Sequence, residues 1–445
     1  MLGLILAAAL VCEAPSRPGP STLVDRLGSA SYKDRSWAEA ELARLGREAL
    51  PALSAGKRSN DAEVRARSLA LVARIENESL LQPTSIRLDF RDVPLDEALA
   101  EVNRRGGLNL SLTPEERPSL SSRRIHLDLA EPVSSWRAID ALCRAAGLHQ
   151  GPEVPFASAG PGESLLLLEG PESDPGPTWD SGPFRVRLTS LHYQSEISLG
   201  AAREPLAEAS VPTTKSNSWA TREFFLQLVL SAEPRLAISR NGPIRVTTAL
   251  DDRGRSLIAP AVSTWGQHSA GYFGMSPSST LRFRLDLASP EKAGGRLKLL
   301  RGTIPVVAAM RRPEPLEIAL AGPKGRSYRV GGVDMTLLEH VAAWGGKPAL
   351  IRLAFSNPTM PGSPSAGDVE SPLPDSAEQQ VEILDEKGRI LPWFPSATTQ
   401  DGRELRLTLT LTPRGDVGPP ATLRYHGILK ASTEVAFEFR DLPMP

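Results

Sequence analysis

Apolar residues recur at the spacing of an α-helix in the first part of the chain and at every second position in much of the rest. From Ser21 to Glu76 the helical spacing predicts four short helices, and Ser59, Asn60 and Asp61 provide N-cap chemistry before the fourth. The apolar positions that mark the helices are Leu23 and Leu27, then Ala38, Leu42 and Leu45, then Leu50 and Leu53, and last Val64, Leu69, Val72 and Ile75. We expect Arg65, Arg67 and Arg74 to form a solvated helix face, with an interaction face as the open alternative.

The next part of the chain contains one strand-helix pattern twice. An alternating strand leads into a helix over Ile86–Leu99 and again over Ile125–Ile139. The helices end at Gly107 and Gly147, 40 positions apart, and glycine best tolerates a left-handed helix end. With a last strand at Ser164–Leu168, the pattern predicts a βα-βα unit.

A spacing of two dominates beyond a Pro- and Gly-rich segment at 171–183, which we interpret as a linker. Four elements recur in order, at offsets of 125, 134, 124 and 125 positions. They are Leu226–Leu230 with Ile351–Phe355, Leu250–Leu257 with Leu384–Leu391, Leu281–Leu287 with Leu405–Leu411, and Gly302 with Gly427. The repeat predicts two β-sandwich copies, at 184–318 and 319–445, with a flexible loop at 357–376 in the second.

The first residues are typical of an export signal. The apolar run Leu2–Val11 is too short to span a bilayer but has the length of a signal-peptide core, although no Lys or Arg precedes it. We therefore expect residues 1–14 to be a signal peptide, the mature chain to be exported to the periplasm or cell envelope, and no transmembrane segment to remain after the leader is removed. Lipidation of Cys12 is an open alternative.

Composition narrows the classes of partner. The chain has 445 residues, and 51 Lys and Arg balance 52 Asp and Glu, which argues against nucleic acid as a partner. Aromatic residues are 5%, whereas there are 40 Pro and 36 Gly, a composition that favours short strands and turns. With Cys12 in the leader, Cys143 is left alone, and its helical spacing favours a buried small hydrophobe over a reactive thiol.

Candidate catalytic and metal-binding patterns are weak. The six histidines show no metal-ligand spacing, the serine of Gly266–Gly271 lacks the context of a nucleophile elbow, and Gly322–Arg326 lacks phosphate-loop spacing. Carboxylates at Asp89, Asp92, Asp96 and Glu97 are more simply explained by a helix start than by a metal. Two Asp-x-x-Gly segments favour hairpin turns over calcium loops. We predict no catalytic, cofactor-binding or metal-binding residue and no cofactor, and the binding residues are left open.

Two segments resemble known families. Ala43–Gly56 and Ser59–Ile75, the latter with Asp61-x-x-Val64-Arg65, resemble HEAT-like helical repeats within residues 20–80, which implies a cap or adaptor. Leu88–Leu95, Gly107–Asn109 and Trp136–Ile139 resemble the short N-terminal domain of secretins and TonB-dependent receptors over residues 83–170. That resemblance implies a periplasmic protein-interaction module without catalysis. Nothing downstream resembles a secretin pore or a receptor barrel, so a transport role is not implied.

These observations predict a multidomain α+β protein: a small helical repeat, a secretin-like βα-βα domain and two tandem β-sandwiches. The expected function is that of a non-catalytic, exported interaction or scaffold protein whose partners are other proteins. A structural component of a larger envelope or secretion-type assembly, and a hydrolase with a site that the sequence does not reveal, are the alternatives.

Overall fold

The computed structural model describes residues 18–113, 117–151, 165–170, 176–199, 218–258, 279–288, 295–312, 314–330, 333–342, 348–356, 380–401, 404–411 and 418–444. The predicted leader at 1–14 with Cys12, the predicted loop at 357–376 and the Gly266–Gly271 segment lie outside these residues. The chain divides into two compact units, residues 1–80 and 81–445. The fold is α+β and mostly strand.

The first unit consists of helices around one apolar core. They are α1 Pro20–Arg26, α2 Tyr32–Leu45, a 3₁₀ turn at Gly46–Ala49, α3 Leu50–Gly56 and α4 Ala62–Leu81. The four helices predicted from the apolar spacing are present, and Leu23, Leu42, Leu53 and Ile75 lie in the core. Leu69 does not, because it is 62% exposed; α4 instead turns Ser68, Leu71 and Val72 inward.

The same capping arrangement precedes α2 and α4. In each case an arginine in the first turn donates to two backbone carbonyl groups of the loop before the helix. Arg35 Nη1 lies 2.7 and 3.1 Å from the oxygens of Ser29 and Ala30, and Arg65 Nη1 lies 2.7 and 2.8 Å from those of Ser59 and Asn60. Each arginine thus supplies hydrogen bonds to loop carbonyl groups that the backbone hydrogen bonds of the helix do not use. The helix pairs α1–α2 and α3–α4 therefore share a local design, 30 residues apart.

The second unit begins with the βα-βα module, residues 83–170. Its elements are β1 Ser85–Pro94, α5 Leu95–Gly106, β2 Leu110–Leu112, α6 Arg117–Leu120, β3 Arg124–Ser134, α7 Ser135–Ala146, β4 Leu148–Gln150 and β5 Leu165–Glu169. Strands β1 and β3 pair antiparallel, and β5 lies between β2 and β4. As predicted, α5 and α7 end at Gly107 and Gly147, with φ of 59° and 64°. Both helices pack their apolar faces on the core-facing side of β1 and β3.

The rest of the unit, which we call the β half, is made of strands. They are β6 Thr178–Ser181, β7 Phe184–Leu199, β8 Ser218–Ala232, β9 Ala237–Arg240, β10 Arg245–Asp251, β11 Thr280–Leu287, β12 Arg296–Arg311, β13 Leu316–Ala319, β14 Ser327–Val330, β15 Val333–Val341, β16 Ala349–Ser356, β17 Val381–Asp385, β18 Ile390–Leu391, β19 Trp393–Asp401, β20 Glu404–Leu411, β21 Pro420–Tyr425 and β22 Ile428–Pro443. Strand β6 lies inside the predicted linker at 171–183, because a turn at Gly182 (φ 59°) folds it back onto β7.

Four sheets form the β half in the described residues. Sheet I has the order β6-β7-β8-β11, and sheet II has β10-β12-β22 with β9 also on β12. Sheet III has the order β14-β15-β16-β20-β19, and sheet IV has β13-β21-β17-β18. Strand β22, which the sequence places in the second sandwich, pairs with β12 of the first from Arg311↔Ile428 to Arg296↔Pro443.

Sheets I and III share a strand order and a register. The segment Leu226–Leu230 in β8 lies between β7 and β11, and Ile351–Phe355 in β16 lies between β15 and β20. Leu188 is opposite Leu228, Leu337 is opposite Leu353, and a β-bulge follows both positions. The glycine match does not hold, because Gly302 lies within β12 whereas Gly427 lies in the link between β21 and β22.

Two hairpin turns, 134 residues apart, have the same hydrogen bonds. One carboxylate oxygen accepts the backbone N–H groups two and four residues later, and the other accepts an arginine Nε. The acid, glycine and arginine are Asp251, Gly254 and Arg255 in the first turn and Asp385, Gly388 and Arg389 in the second. Both glycines have a φ of 75°, which glycine adopts most readily. N–H donors thus occupy the carboxylate oxygens, which is the arrangement of a turn.

We predict that Ser68→Ala stabilises the helical unit. The Ser68 side chain is fully buried, and its Oγ has no hydrogen-bond partner among the described residues. Removing an unsatisfied hydroxyl should raise the free energy of unfolding by about 1 kcal/mol. Ala38 occupies the corresponding position in α2, so Ala38→Ser is the matched control and should lower it. Hydrogen exchange of the α4 amides measures both, and faster exchange in Ser68→Ala would contradict the argument.

We also predict that Asp385→Asn and Asp251→Asn destabilise the β half in a pH-dependent way. Burial alone would raise the pKa of Asp385, but the N–H groups of Arg389, Gly418 and Lys387 hold it well below its usual range. Because the carboxyl pKa is lower in the folded protein, the ionised group stabilises the fold fully at pH values above its unfolded pKa, about 4. This contribution is lost as the pH falls towards the lower pKa of the folded state. The loss of melting temperature in the variants should therefore be largest near pH 7 and shrink below pH about 4.

The exposed neighbour Glu386 provides the control for these turns. Glu386→Gln should leave the melting temperature unchanged at both pH values. A difference between Asp385→Asn and the wild type that stays constant from neutral to acid pH would show that the carboxylate charge is irrelevant.

Candidate functional site

A polar cluster of the second unit joins the βα-βα module to sheet I. We call it the junction and define it by residues from the two sides. Thr84, Ser135, Trp136 and Asp140 come from the module, and Asp180, Pro183, Arg185, Glu233 and Arg235 come from the β half.

Glu233 is the centre of the junction. It follows β8 directly, and its side chain is fully buried. Thr84 donates its N–H to Oε1 at 3.0 Å and its hydroxyl to Oε2 at 2.8 Å, and the Ser135 hydroxyl also donates to Oε1. The Arg235 Nε lies 2.9 Å from Oε2 and supplies the opposite charge. A buried carboxylate is tolerated when it has such partners.

Arg235 extends the cluster along the chain segment that enters the module. Its Nε also donates to the Thr84 hydroxyl at 3.0 Å, and its Nη2 donates to the backbone oxygen of Gln82. Its Nη1 lies 3.4 Å from the sulfur of Met310 in β12. One guanidinium therefore contacts the entry to β1, the end of β8 and the central strand of sheet II.

Arg185 of β7 forms the second half of the junction. Both Nη atoms bond the Asp140 carboxylate of α7 at 2.7 Å, and Nε bonds Asp180 of β6 at 2.7 Å. The guanidinium lies over the Trp136 ring, 4.9 Å from its centroid, and the indole N–H donates to the oxygen of Pro183. Although burial alone lowers the pKa of Arg185, the bonds from Asp140 and Asp180 raise it above its usual value. The Arg185 guanidinium therefore stays positively charged in this buried position.

The two halves of the module use their helices differently. Ser135, Trp136 and Asp140 of α7 correspond to Leu95, Asp96 and Ala100 of α5 at the 40-residue offset. The three α7 side chains bond Glu233, Pro183 and Arg185, respectively. Sequence reasoning missed the junction, although this departure of α7 from α5 was a visible signal. Nothing local in the sequence marked Glu233.

The geometry of the junction is that of a structural contact. The Glu233 oxygens are surrounded by donors and closed to solvent, and Arg185 is similarly enclosed. A group that exchanges protons with a substrate needs access to it, and these enclosed side chains are not placed for that. Their contacts instead hold the module against sheet I and fix its orientation there.

The acidic residues considered as metal ligands are not gathered into one site. Asp89 pairs with Arg91 at 3.3 Å, Asp92 lies 3.6 Å from Arg124, and Asp96 lies 3.7 Å from Arg117. Glu97 lies in the first turn of α5 beside Asp96, as predicted. Within the described ranges, no group of three His, Cys, Asp or Glu residues has the arrangement of a metal site.

The histidines and the cysteine have separate environments. Cys143 is buried in the module core, where the sequence placed it. His126 is exposed on β3, and His149 contacts the Gly170 oxygen at 3.0 Å. His192 stacks on Phe225, His340 lies in β15, and His426 lies 3.3 Å from Glu382, while His268 is outside the described residues. Lys324 of the Gly322–Arg326 segment donates to the His340 oxygen.

In the part of the chain that the structure describes, no helix is both long and apolar enough to cross a membrane. The chain matches no protein-family model, no curated protein and no solved structure.

We predict that Glu233→Ala strongly destabilises the second unit. The change leaves the Thr84 and Ser135 donors and the Arg235 charge buried without their partner. Breaking a buried charge pair from one side costs about 3–5 kcal/mol in the free energy of unfolding. Urea denaturation measures that loss, and hydrogen exchange at Thr84 and Ser135 should accelerate.

Glu223→Ala is the matched control for Glu233→Ala. Glu223 lies on β8, and its exposed side chain pairs with Arg284. Exposed pairs contribute about 0–1 kcal/mol, so this variant should retain nearly all of its stability. Equal losses in the two variants would contradict the central role of Glu233.

Proposed function

We propose that this protein is a non-catalytic, exported scaffold in which the βα-βα module binds another protein and the β half holds the module in a fixed orientation. The observation that supports this most directly is the junction. The module docks through α7, which packs on the inner side of the β1–β3 sheet. Outward-facing residues of the same sheet, His126 and Asp128 among them, are exposed.

The outer side of the β1–β3 sheet has the chemistry of a recognition surface. Arg87, Asp89, His126 and Asp128 are exposed there. Asp89 and Asp128 are directly opposite each other in the strand register. Like charges in that position destabilise a sheet, and Arg91, 3.3 Å from Asp89, offsets the charge of only one of the two carboxylates. A basic group of a partner would offset this cost, and the resemblance to the secretin N-terminal family is consistent with a protein partner.

The β half is suited to act as a rigid support. Strand β22 returns from the second predicted sandwich and pairs with β12 of the first along its length. The common order and register of sheets I and III support our further proposal that the β half arose from two copies of one sandwich. The boundaries 184–318 and 319–445 then describe sequence copies that exchange their last strand.

The proposed function predicts a specific effect of Asp128→Asn. The change removes like-charge repulsion in the sheet, so the melting temperature should stay constant or rise slightly. Retention of a partner from envelope extract by the immobilised full chain should fall at least five-fold, as measured by quantitative mass spectrometry with free chain as competitor. The exposed Glu386→Gln, far along the sequence in the β17–β18 turn, should change neither quantity.

Two results would overturn the proposal. One is that no protein is retained in a form that free chain displaces. The other is that retention is the same for Asp128→Asn and the wild type, which would place the binding surface elsewhere.

A further inference from the structure

The sulfur of Met310 is one of the contacts of the junction. Met310 lies near the end of β12, opposite Leu429 of β22, and it is partly buried. The Nη1 of Arg235 donates to its Sδ at 3.4 Å. The Nε of the same guanidinium bonds Glu233 at 2.9 Å and the Thr84 hydroxyl at 3.0 Å. The thioether is therefore in direct contact with the arginine that pairs with the buried carboxylate.

A thioether sulfur is a poor hydrogen-bond partner for a guanidinium. Sulfur is a weak acceptor, whereas the N–H groups of arginine form strong hydrogen bonds with oxygen. The Nε and Nη2 atoms of Arg235 bond such oxygens, on Glu233, Thr84 and the backbone of Gln82. An oxygen attached to the Met310 sulfur would give Nη1 a stronger acceptor than the sulfur itself.

Oxidation of a methionine makes an oxygen of this kind. A thioether reacts with a peroxide to give a sulfoxide, which is polar. With hydrogen peroxide, the sulfur attacks one oxygen, and the O–O bond breaks as the S–O bond forms. The displaced hydroxide takes the proton of the transferred oxygen and leaves as water. The sulfur is oxidised by two electrons, and the peroxide is reduced by two.

The surroundings of a methionine decide what its sulfoxide does. In a closed apolar core, the new oxygen would be buried without a donor and would disrupt the packing. Met310 is instead partly exposed and has a charged donor beside its sulfur. Met335 of β15 has the opposite surroundings, because it is fully buried in the apolar core of the second sandwich. We therefore expect the two methionines to differ in the rate of oxidation and in its effect on stability.

We propose that Met310 is an oxidation site for peroxides, and that its sulfoxide oxygen accepts a hydrogen bond from Arg235 and stabilises the junction. The Nε and Nη2 bonds of Arg235 stay in place, while Nη1 exchanges a sulfur acceptor for an oxygen acceptor. Hydrogen bonds from a charged donor to oxygen are among the strong ones. The proposal concerns the junction alone and goes beyond the proposed function, because it does not depend on a protein partner.

Treatment of the purified full chain with hydrogen peroxide, followed by peptide mass spectrometry, tests whether Met310 is the oxidation site. Met310 should gain an oxygen about ten-fold faster than Met335, because the fully buried sulfur reacts only when the second sandwich opens. Equal rates for the two residues, or a faster reaction at Met335, would overturn the assignment.

Hydrogen exchange of the Thr84 amide tests whether the sulfoxide stabilises the junction. This N–H donates to Glu233, so its exchange rate reports the opening of the junction. Exchange should slow about five-fold in the oxidised wild type, a factor of the order expected for one charge-assisted hydrogen bond. Met310→Leu is the matched control, because leucine has a similar volume and no reactive sulfur. The same treatment should leave its Thr84 exchange unchanged.

Met310→Gln separates the hydrogen bond from every other effect of the peroxide. Glutamine ends in an amide whose oxygen accepts hydrogen bonds, so Thr84 should exchange more slowly in untreated Met310→Gln than in untreated Met310→Leu. Equal exchange in these two variants overturns the inference. Faster Thr84 exchange in the oxidised wild type, or a response of Met310→Leu equal to that of the wild type, also overturns it. Retention of a protein partner is measured on the untreated chain, so the proposed function fails or holds separately.

Discussion

The arrangement of the second unit depends on one buried carboxylate. Glu233 accepts hydrogen bonds from the residue before β1, from the first residue of α7 and from Arg235. Thr84 and Ser135 belong to the module, 149 and 98 residues from Glu233 in sequence, and both would lose this acceptor if the module moved on sheet I. Because unpaired donors and charges are costly in a closed environment, the junction behaves as a single unit. The orientation of the β1–β3 face follows from it.

The second constraint is the long pairing of β12 with β22. A backbone ladder of this length fixes the position of β22 on sheet II, because a register slip of one residue turns every side chain to the opposite face. Arg235 contacts Met310 in β12, so the junction and the ladder meet on the same strand. Contacts therefore continue from the module through Glu233 and Arg235 to β12 and to its partner strand β22.

Sequence patterns predicted the local elements better than their assembly. The glycine-ended helices and the Asp-x-x-Gly turns were predictable, because each depends on residues within about a dozen positions. The prediction that Leu69 marks the apolar side of α4 was wrong, because an apolar residue near the edge of a helical stripe does not reveal which side of the helix is buried. Strand β22 and the Glu233 junction were not predictable, because their partners are set by contacts between distant segments. The family resemblances remain predictions.

The differences between repeated elements are more informative about function than the repeats themselves. A repeated backbone plan accounts for the shared glycines, the bulges and the turn carboxylates, all of which serve folding. Trp136 and Asp140 stand where α5 has Asp96 and Ala100, and they dock the module. Val341 and Leu350 stand where sheet I has the stacked His192 and Phe225. In α7, the side chains that break the correspondence with α5 make contacts that α5 does not make. For α7 those contacts are the junction with sheet I.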